Sequence, residues 1–434
     1  MLKFGSISRT RAAAARAEAL RDRVSLREKG HIAAIAAAVR GSATEALDLV
    51  RSHAAVYPRD ALPLSLALGV FGLLGFSGRV DHHETQLALL QELAPSWGED
   101  WWFLGYLGWA YIETGAVEIG TRLVERSLAG NPRNAHAAHQ RVHGFFESGD
   151  AAGGAAFLEA WLPDYDRAGQ LHCHLSWHLA LFELARGNSD RARAIYLDSI
   201  RPSVAQSAPM LSLADSASFL WRWWLCGITP PLEQEWDEVA THARRHFPRA
   251  SLAFADLHAG LAETAIRDTE GVQTRIGGLE RLVEEARLPA GKVAPALCAG
   301  AAALALGDNA RAATVLEAAL ADLPRIGGSH AQREVFEDSL IIAYLRSAQP
   351  NKAAHCYAPG WCGGRRHETK FGLRSARAPQ TEDEAGSKMC PRSLNAGPIV
   401  RAFRRPENTC DQHRQDAGQK NSVEGSGTAG FEAN

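Results

Sequence analysis

The sequence predicts an all-α fold, an α-solenoid of about nine tetratricopeptide-like helical hairpins followed by a disordered tail. Apolar residues recur three and four positions apart along most of the chain, which is the period of an amphipathic helix. Glycines that suit tight turns recur at spacings of about 34 to 41 residues, which is typical of a helical repeat. A chain of 434 residues with 46% hydrophobic content can bury the core that such an array needs.

Residues 101–134 match the tetratricopeptide template most closely. Gly108 lies in the first helix of this unit, where the missing side chain lets a second helix approach. Gly115 ends the first helix and Pro132 stops the second. This segment therefore predicts one complete hairpin.

The same order of small residues, turn glycines and closing prolines returns in four further units. One match would be weak, but five in register indicate stacked hairpins. Weaker units fill the gaps between them, so residues 26–354 are predicted to form one solenoid and not several domains. The positions in the four units are Gly41, Ala46 and Pro58; Gly149 and Gly154; Gly187, Ala192 and Tyr196; and Gly300, Gly307, Ala312 and Pro324.

The two ends of the chain depart from the repeat. Residues 1–25 are rich in Arg and Ala, and we interpret them as an N-terminal extension helix of a cytosolic bacterial protein; an organelle transit peptide is the alternative. Residues 355–434 are rich in Gly, Pro, Ser and charged residues, which cannot build a packed helix pair. We therefore expect a disordered tail, or an extension that is read out of frame.

Composition limits the expected partners. The net charge is −2 and the isoelectric point is near 6.8, so we expect no nucleic acid partner. No apolar run reaches the roughly 18 residues that would span a bilayer, so we expect no membrane partner either. The first three cysteines lie far apart inside helical patterns, which favours a reducing compartment such as the cytoplasm.

Three histidines share one face of a predicted helix in the middle of the chain. His136, His139 and His143 are spaced i, i+3 and i+7, which a helix places on one side. In a tetratricopeptide hairpin the first helix lines the concave surface, and counting back from Gly149 puts the three histidines at its groove-facing positions. The sequence therefore predicts that they lie on the inner wall of the superhelix.

Further residues fall on the same predicted inner wall. A buried charge without a partner is costly, so these residues should meet one another or a ligand. The alternative is that each is a core residue satisfied by its own helix. His174 and His178 have the i, i+4 spacing of metal ligands, but no Glu follows His174 as in a zinc protease helix, so the sequence names no metal and no cofactor. The residues are His174, Trp177, His178, Asp215, Arg222, Asp256, His258, Gln332 and Arg333.

Five blocks within residues 26–354 resemble the tetratricopeptide repeat protein 38 family, also called StaR-like. They read "HAAHQRVHGFFESGD", "CHLSWHLALFELARG", "DSASFLWR", "FADLHAGLA" and "IGGSHAQREVF". The resemblance implies an all-helical repeat fold but no defined activity, because the family has no agreed biochemical function; a redox or hydroxylating role has been conjectured for some members. It also implies that the family's polar positions are here His139, His174, His178, Asp215, His258, Gln332 and Arg333.

Two functions are therefore expected as alternatives. The first is a binding or scaffold module that holds a protein or peptide on its concave surface, with a small molecule as a further option. The second is an enzyme, or a cofactor or metal binder, with a His/Asp/Arg pocket on the inner wall. An open groove would favour the first, and a tight cluster of the inner histidines would favour the second. No catalytic residue can be assigned from the sequence.

Overall fold

The computed structural model describes residues 7–228 and 232–356. Within these residues the chain is helical and contains no β-strand. The predicted all-α fold is confirmed. The nineteen α-helices of this part of the chain are α1 Ile7–Ala19, α2 Leu26–Arg40, α3 Ala43–Val56, α4 Ala61–Ala67, α5 His82–Trp97, α6 Trp101–Glu113, α7 Val117–Gly130, α8 Ala135–Ser148, α9 Ala151–Trp161, α10 His172–Ala185, α11 Ser189–Ile195, α12 Pro209–Leu225, α13 Glu233–His246, α14 Ala253–Ala265, α15 Thr269–Glu284, α16 Val293–Ala305, α17 Asn309–Ala319, α18 His330–Arg346 and α19 Pro350–His355.

Helices α2 to α19 follow one another as nine consecutive pairs after α1, and in every pair except α4 and α5 the two helices pack against each other as a hairpin. The turns inside the hairpins need a left-handed residue, because the chain must reverse within a few residues. Gly115 has a φ of 90° and Gly149 has a φ of 73°, and both directly follow the first helix of their hairpin. The turn glycines predicted from the sequence therefore mark the true hairpin turns.

The two helices of the third hairpin touch backbone to backbone. A Cβ added to Gly108 on α6 would lie 2.7 Å from the carbonyl oxygen of Gly120 on α7, and one added to Gly120 would lie 2.3 Å from that of Gly108. Real Cβ atoms do not approach a carbonyl oxygen this closely. The close packing of the two helices therefore requires a small residue at this position of the template.

The second hairpin departs from a regular pair. Helix α4 has only seven residues and ends before Gly69, whose φ is 82°, and the chain then makes irregular turns until α5 begins at His82. Phe71 and Phe76 from this segment pack on Phe254 of α14, with ring centroids 5.6 and 6.3 Å apart. A segment near the N-terminus thus reaches a helix of the seventh hairpin.

The first helix of the last hairpin, α18, lies inside the superhelix. Its residues 330 to 344 are all buried, so it has no solvent-facing side. The chain just before it also contacts the second hairpin, because Arg325 donates from its Nη1 to the carbonyl oxygen of Gly78 at 2.9 Å. The amide of His330 donates to Oε2 of Glu113 at 3.0 Å. The superhelix is therefore closed on itself around α18, and the inner wall near it is packed.

The tail expected after residue 354 lies almost wholly outside the described residues, because the description ends at Cys356. Among the helices of residues 7–228 and 232–356, none has both the length and the apolar character needed to cross a bilayer.

Candidate functional site

Four histidines from two neighbouring helices meet in the interior. His139 and His143 come from α8, and His174 and His178 come from α10. The Nε2 atom of His139 lies 3.0 Å from the Nε2 atom of His143 and 3.0 Å from that of His174. The ring centroid of His178 lies 4.9 to 5.3 Å from the centroids of the other three. We call these four residues the histidine cluster.

Two carboxylates hold the far side of two of these rings. The Nδ1 atom of His143 lies 2.8 Å from Oε1 of Glu113 on α6, and the Nδ1 atom of His174 lies 2.8 Å from Oδ1 of Asp215 on α12. The contact with Asp215 is a hydrogen bond, and the contact with Glu113 is a close ion-pair contact. With Nδ1 as the protonated nitrogen in both rings, each Nε2 of a neutral imidazole would present a lone pair. Both lone pairs face the Nε2 atom of His139, which in its neutral form has at most one proton to share.

Burial keeps the remaining histidines neutral. It is the largest cause that lowers the pKa of His139 and of His178 well below the usual histidine range, and the neighbouring imidazoles lower both pKa values further. Neither nitrogen of His178 has a hydrogen-bond partner in the described residues, although the side chain is fully buried. Each unpaired buried nitrogen costs about 1 to 3 kcal/mol. The cluster is therefore incomplete without a further partner.

A metal ion fits the missing partner. With metal–nitrogen bonds of about 2.05 Å, two nitrogens are about 2.9 Å apart at right angles and about 3.3 Å apart in a tetrahedron. The measured spacing of 3.0 Å falls between these values. The ligand atoms of His139, His143 and His178 all lie within 4.8 Å of one another. Carboxylates that hold the outer nitrogen of a ligating histidine are the usual second layer of such centres.

The buried charges around the cluster also leave room for a cation. Arg222 lies 3.3 Å from a carboxylate oxygen of Asp338, so these two charges offset each other. Glu113 and Asp215 remain, and both are buried. Burial raises the pKa of Glu113, but the hydrogen bond and charge of His143, with the charges of His83 and Arg333, outweigh it and hold the pKa below its usual range. Glu113 is thus set up to stay ionised.

Two predicted residues pack directly against the cluster. Trp177 stacks on His174 with ring centroids 5.1 Å apart, and its Nε1 donates to the hydroxyl of Ser218 at 3.0 Å. Arg222 donates to the carbonyl oxygen of Ala331 at 2.8 Å, so it anchors α18 to α12. Both residues support the cluster and neither supplies a ligand atom.

Four of the residues predicted on the inner wall are not part of the histidine cluster. His136 is exposed in the first turn of α8, because the sequence register fixes a helix face but not how far along the helix the interior begins. His258 donates from Nδ1 to the carbonyl oxygen of Phe254 one turn earlier, at 2.7 Å. Asp256 is held by Arg275 at 2.5 Å and by two backbone amides. Gln332 forms the capping box of α18 with Ser329.

The sequence analysis missed two buried glutamates, one of which the structure places beside the cluster. Glu113 is the example at the cluster, and Glu147 is a further buried carboxylate that was missed, whose Oε1 lies 2.8 Å from Nδ1 of His330 at the start of α18. Each glutamate stands two positions before the turn glycine of its unit, Gly115 and Gly149. Acidic residues at the same place in two consecutive units were a usable signal of a shared site.

A second group of potential ligands lies in the first two hairpins. His31 and His53 approach Oδ2 of Asp60 at 2.5 and 2.9 Å. Arg27 donates to the same oxygen at 2.7 Å. Three donors therefore already surround that oxygen, and an arginine would repel a cation from it. This group is a clamp between helices and not a candidate metal centre.

Comparison with known proteins adds information on the fold. No known family model matches the chain. The solved structure of the human IFIT1 dimer with m7Gppp-AAAA is similar, with a TM-score of 0.35 and 12% sequence identity over 80% of this chain and 93% of that one. A likeness of this size concerns the fold alone. The described residues themselves show a helical-repeat fold.

The expectation that nucleic acid is no partner is corrected, because the whole-chain net charge on which it rested excludes no partner. The IFIT1 structure, which has a similar helical-repeat fold, holds m7Gppp-AAAA, an RNA. Net charge is an average over the whole chain, so a value of −2 leaves room for a local basic surface and excludes no partner. What IFIT1 binds is a property of IFIT1.

Proposed function

We propose that this protein binds one divalent first-row transition-metal ion through His139, His143 and His178, with His174 as a fourth ligand. The observation that carries the proposal is the convergence of imidazole Nε2 atoms on that of His139, where carboxylates lie beside two of the rings. A cation removes the conflict between their lone pairs. It also gives His178 the partner that it otherwise lacks in the described structure.

The donor set indicates the class of metal. Imidazole nitrogens suit zinc, copper, iron and nickel, whereas calcium and magnesium prefer oxygen ligands. Neutral rings are also the form in which histidine binds metal, so the lowered pKa values of His139 and His178 favour loading at neutral pH. We expect zinc or copper to bind more tightly than manganese, in line with the general order of divalent affinities.

The helical-repeat fold is that of a binding or scaffold module. A protein or peptide ligand on the concave surface stays a proposal, and the packing of α18 against the inner wall makes it the weaker one. We also propose membership of the tetratricopeptide repeat protein 38 family, on the five sequence blocks, and a cytosolic location, on the free cysteines among the described residues.

Elemental analysis of the purified protein tests the metal proposal. We expect about one transition-metal ion per chain, or the uptake of one Co²⁺ or Zn²⁺ after treatment with a chelator. His178→Leu should lose this ion while circular dichroism shows unchanged helix content. The matched control is His258→Leu, because His258 is equally buried but bonds within its own helix, and it should keep the metal.

Two results would count against the proposal. One is a protein that takes up no metal after purification and after reconstitution with zinc and copper. The other is equal metal content in His178→Leu and wild type, because the ion would then lie elsewhere.

A further inference from the structure

Glu113 also borders a second polar compartment, formed by α5, α6 and the start of α18. Its Oε2 atom lies 3.4 Å from Nε2 of His83, and Nη1 of Arg333 lies 3.3 Å from the same nitrogen. The ring of His83 packs edge-on against Trp109, with centroids 5.4 Å apart. These residues come from positions up to 250 apart in the sequence, so the closure of the superhelix creates the compartment.

The unpaired groups of this compartment are mainly hydrogen-bond donors. Trp109 Nε1, Gln86 Nε2 and Gln332 Nε2 are buried and have no acceptor within the described parts of the chain. The oxygen atoms of the two amides are already used. Oε1 of Gln86 accepts from the amide of Gly69 at 2.7 Å, and Oε1 of Gln332 accepts from that of Ser329 at 3.0 Å. Three buried donors of the compartment therefore lack acceptors, while the unpaired nitrogens of His82 and Nδ1 of His83 can each donate or accept.

Arg333 adds a buried positive charge to these donors. Its side chain donates to the carbonyl oxygen of Gly328, and no carboxylate of residues 7–228 or 232–356 lies within 4.0 Å of it. Burial lowers the pKa of Arg333, and the more distant charge of Glu113 opposes this. The carboxylate of Glu113 already contacts His143 and His83 and does not pair directly with Arg333. The guanidinium of Arg333 can therefore donate hydrogen bonds to a negatively charged ligand.

We propose that this compartment binds a small carboxylate through Arg333, with Trp109 as a second donor and the free amide nitrogens of Gln86 and Gln332 nearby. A guanidinium fork matches a carboxylate, which brings the acceptors that the donors lack. One arginine beside an ionised Glu113 suits a single negative charge better than the two charges of a phosphate. Water alone would satisfy the donors but would leave the buried guanidinium without a carboxylate in direct contact. This proposal goes beyond the metal site and does not depend on it.

Acetate is the probe that tests this site, because it is the smallest stable carboxylate that two donors can hold. We would compare the melting temperature of metal-free protein in sodium acetate and in sodium chloride of equal ionic strength. A ligand that binds only the folded state raises stability as its concentration passes its dissociation constant. We expect an acetate-specific rise that saturates, and repetition with the metal-loaded protein should give the same rise.

Trp109→Phe is the decisive variant, since it removes one donor and keeps the ring. It should weaken acetate binding about tenfold, the effect of losing a hydrogen bond to a charged acceptor. Trp97→Phe is the matched control on α5, because the indole of Trp97 already donates to the carbonyl oxygen of Pro58 at 2.7 Å. Its acetate affinity should stay unchanged. Arg333→Gln should abolish binding if the variant folds.

The proposal fails if acetate and chloride give the same melting temperature in the wild-type protein, which would leave the donors to water. It also fails if Trp109→Phe and Trp97→Phe respond equally to acetate. If the protein binds no metal but still shows the acetate-specific rise in melting temperature, only the metal proposal fails.

Discussion

Replacing His258 by leucine should flatten the acid dependence of stability. The side chain of His258 is 1% exposed, and burial is the main cause that lowers its pKa from 6.5 to about 4. A histidine with a lowered pKa stabilises the fold fully above pH 6.5. As the pH falls from 6.5 towards 4, the unfolded chain takes up the proton first, and this stabilisation is lost.

The size of the effect follows from the shift. A difference of about 2.5 pKa units corresponds to about 3 kcal/mol at 1.36 kcal/mol per unit. Near pH 5.2, midway between the two pKa values, nearly one more proton is bound by the unfolded chain at this site than by the folded one. The free energy of unfolding should therefore lose about 1 kcal/mol per pH unit through His258 alone.

Urea unfolding at pH 7.0, 6.0 and 5.0, followed by circular dichroism, measures this slope. The wild-type free energy should fall more steeply than that of His258→Leu by about 1 kcal/mol per pH unit between pH 6.0 and 5.0. Leu306→Ala offers the control, because Leu306 is exposed and does not titrate, so its replacement should leave the slope unchanged. Equal slopes for wild type and His258→Leu would refute the claim that this histidine is buried in its neutral form.

Three further predictions concern packing and the buried polar network. Gly108→Ala should lower the free energy of unfolding in urea by about 1 to 3 kcal/mol, because its Cβ would lie 2.7 Å from a carbonyl oxygen of α7. Gly277→Ala is the control and should be neutral or stabilising, because no atom lies closer than 3.9 Å to its Cβ. Equal costs for the two variants would contradict the close approach of α6 and α7. His139→Gln and His174→Gln should couple by about 1 kcal/mol in a double-mutant cycle, and strict additivity would show that the two rings do not share a partner. Arg275→Met should cost about 3 to 5 kcal/mol, because it strands two buried carboxylates, and a cost below about 1 kcal/mol would contradict the buried ion pairs.

The hairpins could be predicted because turn chemistry is local. A residue with left-handed backbone conformation is needed where the chain reverses, and the glycines at positions 115 and 149, Gly115 and Gly149, indicate these turns in the sequence. The same register told which side of α8 and α10 faces inward, so His139, His143, His174 and His178 were predicted on one wall. Whether these rings share one partner is a question for the metal experiment.

The partners of those histidines could not be predicted, because they depend on contacts between distant parts of the chain. Gln332 looked like a wall residue, but the choice between a pocket and a helix cap depends on where α18 begins. Arg333 meets His83 only because the last hairpin enters the superhelix, and no local pattern encodes that entry. The irregular chain between α4 and α5 is likewise stabilised by Phe254, far along the sequence.

The closure around α18 changes how the whole molecule should fold. In an open solenoid each repeat contacts only its neighbours, so ends can fray and folding can begin at any repeat. Here bonds join residues 217, 247 and 250 positions apart. Such contacts raise the contact order, because large loops must close before they form. Unless the second and third hairpins dock with the last one, the inner wall is incomplete, so we expect slow, cooperative folding in place of stepwise melting.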